Sequence, residues 1–311
     1  MLKELLVLLI TSQFLFSDAI TPIPLNPDYD KEKAALGKSL FFDQILSSDG
    51  SRSCASCHHL PGSGADNIAF SLGMSNHATS INTPTVLNAR FNFVQFWNGR
   101  VETLHEQALV PLFNPKEMGE SIEASIEKLN KSKYKEKFEN LFPEGVTKDS
   151  IAQVIEEFEK ALTTPNSRFD KYLRGDEYAL NEQELRGYKA FQNQGCISCH
   201  NGVNIGGNMY QKMGIMIPYD HTVDATSIEG RYAVTGRQRD KAVFKVPTLR
   251  NIDLTAPYLH DGSATSLRDV VLDMREHQLG ILEEDKSIDD IVAFLKTLTG
   301  ESPKILSGTS E

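Results

Sequence analysis

Cys54-Ala55-Ser56-Cys57-His58 and Cys196-Ile197-Ser198-Cys199-His200 are two copies of one pentapeptide, and together they use every cysteine in the chain. Thiols at i and i+3 can each add across a vinyl group of one porphyrin, and the histidine that follows can turn under the ring to bind its iron. Cys-x-x-Cys-His therefore reads as c-type haem attachment. Two copies predict two covalently bound haem c groups, with His58 and His200 as the proximal ligands. The opposite ligand on each iron then decides between electron transfer and chemistry. Zinc is the competing reading, but zinc-binding cysteine pairs lie ~15–20 residues apart, and these motifs start 142 residues apart, at Cys54 and Cys196. A redox dithiol needs no histidine after both pairs. Disulfides are the other option in an oxidising compartment.

The N-terminus agrees with the haem reading. Lys3 precedes an apolar run from Leu5 to Phe16, followed by Ser17-Asp18-Ala19. This is the pattern of a secretory signal over residues 1–19, with small residues at −3 and −1. Glu4 weakens the charged region, so an uncleaved anchor is the alternative, although the run is short for a bilayer. Covalent haem attachment in bacteria follows export, so the periplasm is the expected location. After cleavage no membrane association is expected. The chain carries 32 basic against 42 acidic residues, with no basic stripe to suggest a nucleic-acid partner. It is long enough for two domains of ordinary size.

Most of the periodicity is helical. Residues 30–42 place Ala34, Leu36, Leu40 and Phe41 near one face. Residues 121–140 read as one amphipathic helix opened by Ser121, and 150–162 as another carrying Ile151, Val154, Ile155, Phe158 and Leu162. Thr163-Thr164-Pro165-Asn166-Ser167 is turn-rich and reads as a boundary. Asn181 with Glu184 forms a capping box that opens a helix leading into the second haem motif. Residues 202–248 lose periodicity and become rich in Gly and Met, so they read as loop around the second haem. Ser266 with Asp269, and Ser287 with Asp290, open two further helices. No convincing strand alternation appears. The fold class is mostly α, with a haem among short helices in each half.

Separated segments make the chain resemble the bacterial di-haem cytochrome c peroxidases from about residue 28 to 300. They include Asn82-Thr83-Pro84-Thr85-Val86-Leu87-Asn88, Phe96-Trp97-Asn98-Gly99-Arg100, Glu106-Gln107-Ala108, Asn114-Pro115-Lys116-Glu117-Met118, Val246-Pro247-Thr248-Leu249-Arg250-Asn251, Pro257-Tyr258-Leu259-His260-Asp261-Gly262 and Gln278-Leu279-Gly280. The resemblance implies two cytochrome c-like haem domains in tandem: an N-terminal peroxidatic domain over residues 20–165 and a C-terminal electron-transfer domain over 166–311. It implies reduction of hydrogen peroxide with two electrons from a small monohaem c-type cytochrome, and a homodimer.

Residue roles follow from the same resemblance. His77 matches a distal ligand of the N-terminal iron that leaves on activation; by pattern alone it is a loop histidine. Glu117 matches the distal acid–base group and Gln107 a neighbour that positions peroxide. Heterolysis of the O–O bond needs a proton moved from one oxygen to the other, which a carboxylate can do; without the resemblance, Glu117 is a solvated acid. Met274 matches the sixth ligand of the C-terminal iron, although its pattern is that of a core methionine, and a thioether there raises the potential. Trp97, the chain's only tryptophan, matches a residue between the haems; a lone tryptophan is otherwise core. Asn82, with the carbonyls of Thr255 and Pro257, matches a calcium site, and oxygen-only ligands suit that hard cation.

Two positions depart from the family pattern. Asn98 stands where many relatives have Asp, and His105 stands before Glu106-Gln107 where a small or acidic residue is more usual. His105 could titrate near the distal pocket. Two other functions compete with the peroxidase reading. A di-haem oxidase of a protein substrate, of the quinone-cofactor maturation type, carries tyrosine where this chain has Met274. A plain di-haem electron carrier gives Glu117 no purpose.

Overall fold

The computed structural model describes residues 19–219 and 229–307 and is mostly helical. The segment read as a secretory signal lies outside the described residues except for Ala19. α1 (Lys31–Phe42) starts at Asp30, whose carboxylate accepts from the Glu32 and Lys33 amides, satisfying donors that a helix start leaves orphaned. α2 (Leu104–Phe113), which the periodicity did not reveal, opens on a capping box of Thr103 and Glu106. The stretch 121–140 is two helices, α3 (Ile122–Asn130) and α4 (Lys135–Leu141). Ser132 breaks it: its hydroxyl donates to Leu129 O at 2.8 Å and accepts from Tyr134 N, the local competition that makes serine a poor interior helix residue.

α5 (Lys148–Ala161) is followed by the short α6 (Arg168–Leu173), then by α7 (Glu182–Asn193) with the expected Asn181–Glu184 capping box. Within the aperiodic stretch lie β1 (Tyr210–Lys212), α8 (Tyr232–Thr235) and β2 (Val243–Lys245). The strands pair antiparallel with Tyr210 opposite Lys245, so the expectation of no strand was wrong for these six residues. Three-residue strands are too short to display a period of two. α9 (Leu267–Asp273), capped by Ser266, runs into a π-helical turn, Met274–Gln278. α10 (Ser287–Lys296) lacks the expected cap pair: Ser287 is already helical, its amide donates to Asp285 and its hydroxyl accepts from Gln194.

Two helix crossings organise the molecule. α1 packs on α5, and α7 on α10. At each crossing a glycine lets backbone meet backbone: a Cβ on Gly37 would lie 1.8 Å from Val154 O, and one on Gly187 would lie 1.9 Å from Asp290 O. Each crossing is closed by an aromatic pair, Phe41 with Phe158 at 5.1 Å and Phe191 with Phe294 at 5.3 Å. Further along, bridges Gln95–Val101 and Tyr258–Ala264 enclose matching left-handed residues, Phe96 and Leu259.

One core gathers Leu40, Leu112, Leu129, Phe138, Ile151 and Ile155; another gathers Phe169, Phe191, Val271, Ile288 and Phe294. The described ends cross over. Ile20 belongs to the second core, and Ile305 and Leu306 pack near Phe41 and Phe158. The N-terminal crossing is fixed by a fully buried ion pair, Arg250 with Asp170 at 2.7 Å. Arg250 also donates to Val203 O, Ser167 Oγ and Thr21 O, and Asp170 accepts from Ile23 N. Such additional partners are what make a buried pair tolerable. At the turn between the halves, Asn88 and Asn251 both donate to Thr164 Oγ1, at 2.8 and 2.9 Å.

Candidate functional site

Each pentapeptide lines its own cavity. The larger, about 460 Å³, is bounded by Cys196, Cys199, His200 and Met274. α7 ends at the motif, so the α7–α10 crossing sets where His200 stands. His200 Nδ1 donates to Ile205 O at 3.4 Å, which leaves Nε2 as the coordinating nitrogen and fixes the tautomer. Burial pushes its pKa down to about 4, so the imidazole is neutral, as a ligand must be. Met274 opens the π-helical turn, an irregularity that re-aims side chains and recurs at functional sites.

The charges of this lining fit a porphyrin. Among the described residues no aspartate or glutamate borders the cavity, whereas Lys245 and Arg275 do. Lys245 is only 6 % exposed, has no acidic partner among the described residues, and burial pushes its pKa down to about 8. Arg275 holds Asp285 through Nη2 at 3.0 Å, but its buried Nε and Nη1 have no partner among the described residues. Buried cations without anions are costly; a haem brings two carboxylates. Burial raises the pKa of the Cys54 and Cys196 thiols, to about 12 and about 11. Among the described residues no group of three or more His, Cys, Asp and Glu could hold a metal ion by itself.

The smaller cavity, about 170 Å³, is bounded by Cys54, Cys57 and His58 and also by Gln107, Glu117, Arg52, Arg100 and Glu159. His58 Nδ1 donates to Gly64 O at 2.9 Å, repeating the arrangement of His200. Gln107 comes from α2, and its Oε1 is buried with no hydrogen-bond partner, an acceptor suited to a hydroxyl-bearing ligand. Glu117 sits in the turn after α2, where Asn114 Nδ2 donates to its Oε1 at 2.7 Å. Burial raises its pKa, opposed by that bond and by Arg100. Arg100 itself lies 3.3 Å over the Phe96 ring.

Trp97, Asn82, Thr83, Pro84 and Lys245 border both cavities, which puts Trp97 between the two motifs. Its indole N–H donates to Asn82 O at 2.8 Å, and its ring meets Phe244 and His260 edge-on. Asn82, Thr255 and Pro257 meet on the larger cavity; the Asn82 amide nitrogen donates to Ile68 O and Ala69 O. His77 is not brought in. It is exposed, beside the Leu72–Ala78 bridge, with Nδ1 donating to Met74 O at 3.2 Å. Its loop nevertheless leans on the Glu117 turn, because Met74 N donates to Glu117 O at 3.3 Å.

Sequence reasoning missed Glu159, Lys245, Arg52 and Arg275. Glu159 could have been found, since it lies on the apolar stripe of α5 beside Ile155 and Phe158, where a charge is out of place. Lys245 lay in a strand too short to read.

A model of the di-haem cytochrome c peroxidase family matches residues 31–178. Cytochrome c551 peroxidase of Nitrosomonas europaea is 48 % identical over 290 residues, covering 92 % of this chain and 86 % of its own. Cytochrome c551 peroxidase of Pseudomonas aeruginosa is 41 % identical over 279 residues, covering 88 % and 81 %. Among solved structures, a MauG-like protein associated with microbial copper homeostasis superposes with a TM-score of 0.79 at 28 % identity, covering 95 % of this chain and 97 % of that one.

Proposed function

The chain belongs to the di-haem cytochrome c peroxidases, and on that premise we propose how its residues divide the work of reducing hydrogen peroxide to water with electrons from a reduced c-type cytochrome. One observation carries the division. Both motifs line a cavity, but only the N-terminal cavity also presents a carboxyl group, Glu117, and an orphaned amide oxygen, Gln107. The C-terminal cavity presents the thioethers of Met213, Met216 and Met274, of which Met274 is the one the family resemblance marks as a ligand.

Bound haem supplies the one-electron chemistry at both sites. Cys54 and Cys57 hold the N-terminal group and Cys196 and Cys199 the C-terminal one, with His58 and His200 as proximal ligands. Lys245 and Arg275, which line the C-terminal cavity, would pair with the porphyrin carboxylates. Met274 completes the C-terminal site as a ligand that favours ferrous iron and raises the potential, making this the electron-entry side. Gln107 Oε1 accepts a hydrogen bond from peroxide. Glu117 takes the proton from one peroxide oxygen and delivers it to the other, a role typically worth ~10²–10⁴-fold. Trp97 stands where an aromatic ring assists electron passage between the cavities.

The halves about Thr163–Ser167 are two cytochrome c-like haem domains in tandem, a reading supported by the matched glycine crossings and bridges. His77, exposed on its loop, would serve as the removable ligand of the N-terminal haem, held in the oxidised enzyme and released on reduction, a two-state change set by electron count. Asn82, with the carbonyls of Thr255 and Pro257, would hold calcium beside the larger cavity; with neutral ligands only, the protein part of that site is weak and water would complete it. The donor is a small monohaem cytochrome, the location the periplasm and the assembly a homodimer. Among the described residues no helix is long and apolar enough to cross a membrane. The oxidase of a protein substrate is the weaker reading because methionine stands at position 274.

Peroxide assay with reduced cytochrome c tests the activity, and Glu117→Gln tests the division of labour. Turnover should fall by ~10²-fold or more while both haem spectra stay as in the parent, since neither iron loses a ligand. A mutant that reacts with peroxide at the parental rate in stopped-flow mixing would show that another group moves the proton.

A further inference from the structure

Reducing one peroxide to two waters consumes two electrons and two protons. Glu117 can move a proton from one oxygen to the other, but the two that remain in the product waters must enter from solvent. A second carboxyl group borders the same cavity. Glu159, on α5, is 4 % exposed, and its Oε2 has no hydrogen-bond partner.

A row of proton-carrying groups leads from Glu159 to the surface. Glu156 lies three residues earlier on α5, on the same face. Its Oε2 is 3.3 Å from His105 Nδ1, and His105 Nε2 is 3.2 Å from Asp149 Oδ1. Side-chain exposure falls from 72 % at Asp149 to 31 % at His105 and 18 % at Glu156. Three members come from α5, and the fourth, His105, comes from α2 two residues before Gln107. With a carboxylate on each ring nitrogen, His105 can take a proton at one and release it at the other.

Other charged groups face this row. Lys160 holds Glu156 Oε1 at 3.0 Å and Glu157 at 2.9 Å, leaving Glu156 Oε2 to the histidine. Glu106 neighbours His105 on α2. Cys54, which borders the same cavity as Glu159, carries no titratable proton once it is joined to the haem. Burial and the nearby Glu156 push the Glu159 pKa up to about 8, so it holds its proton at neutral pH.

We propose that Asp149, His105, Glu156 and Glu159 form a relay that carries solvent protons into the N-terminal cavity. This rests on that cavity being where peroxide is reduced. Each passage is a hop in which one O–H or N–H bond breaks as the next forms; Glu156 and Glu159 share no direct hydrogen bond, so the step between them is bridged by a water or by rotation of the Glu159 carboxyl group. His105 is the element that joins the buried end of the row to the exposed Asp149.

The test is proton uptake by the reduced, doubly haem-loaded protein mixed with peroxide in weak buffer containing a pH indicator. The variants are Glu159→Gln and His105→Ala, with haem content and absorption spectra as the check on folding. In both, proton uptake should slow by about 10²-fold or more, the range for positioned proton transfer. Its solvent isotope effect should rise, and added imidazole should restore His105→Ala. If Glu159→Gln does not load haem, His105→Ala with and without imidazole decides alone. Uptake at the parental rate, with an unchanged isotope effect, would overturn the relay while leaving the peroxide site intact. A parent that takes up no protons on mixing with peroxide would instead sink the site assignment itself.

Discussion

Replacing Gly187 by alanine tests the α7–α10 crossing, on which the position of His200 depends. In an ordinary helix interior, alanine in place of glycine stabilises by roughly 0.5–1 kcal/mol. Here the new Cβ would lie 1.9 Å from Asp290 O and 2.9 Å from Phe294 Cβ, and ordinary contact begins at 3.4 Å. The obstruction is backbone, so it cannot rotate away. The helices must part by about 1.5 Å, the difference between 1.9 and 3.4 Å. Overpacking of this kind costs ~1–3 kcal/mol, which outweighs the helix-propensity gain. At roughly 2–4 °C per kcal/mol for a chain of this size class, the melting temperature should drop by several degrees. Parting the helices also disturbs Phe191, which packs at a tilt against Phe294 and neighbours the His200 ring at 6.4 Å. The C-terminal haem potential should therefore shift while the N-terminal spectrum holds. Differential scanning calorimetry with potentiometric titration reads both. A variant that melts at or above the parent's temperature would refute the close crossing, because the sign of the effect distinguishes contact from propensity.

Met274→His should leave the protein folded and doubly loaded but lower the C-terminal potential by a sizeable part of the ~0.8 V that axial ligands span; an unchanged high-potential wave would make Met274 plain core. His77→Gly should give an oxidised enzyme whose N-terminal iron is five-coordinate or water-bound, and a persistent low-spin bis-nitrogen spectrum would exclude His77 as the ligand. Glu159 predicts a pH dependence of stability. Its carboxyl titrates at about 8 when folded against 4.5 for the free group, so between these values the folded state holds the extra proton. Its contribution is fully present below 4.5 and lost as pH rises toward 8, with a slope of at most about 1.4 kcal/mol per pH unit. Denaturant unfolding from pH 5 to 8.5 should therefore show Glu159→Gln gaining on the parent as pH rises, and parallel curves would place that carboxyl in water.

The sequence alone determined the chemistry that depends on covalent neighbours. Two Cys-x-x-Cys-His units define two haem attachments because thiol spacing and the adjacent imidazole are local properties. Helices with full apolar stripes, such as α1 and α5, and the Asn181–Glu184 cap were legible for the same reason. Separated segments supplied the family, and through it Gln107, Glu117 and Met274, none of which a pattern could pick from ordinary polar or core residues. Tertiary structure decided what depends on elements far apart in the chain. It placed Trp97 and Lys245 on both cavities, left His77 outside its own, and set Glu159 with His105 in a row that spans two helices. It also showed why Gly37 and Gly187 stand mid-helix: each position meets a carbonyl more than a hundred residues away in sequence. A period reports which face of a helix is apolar, but not what that face will meet.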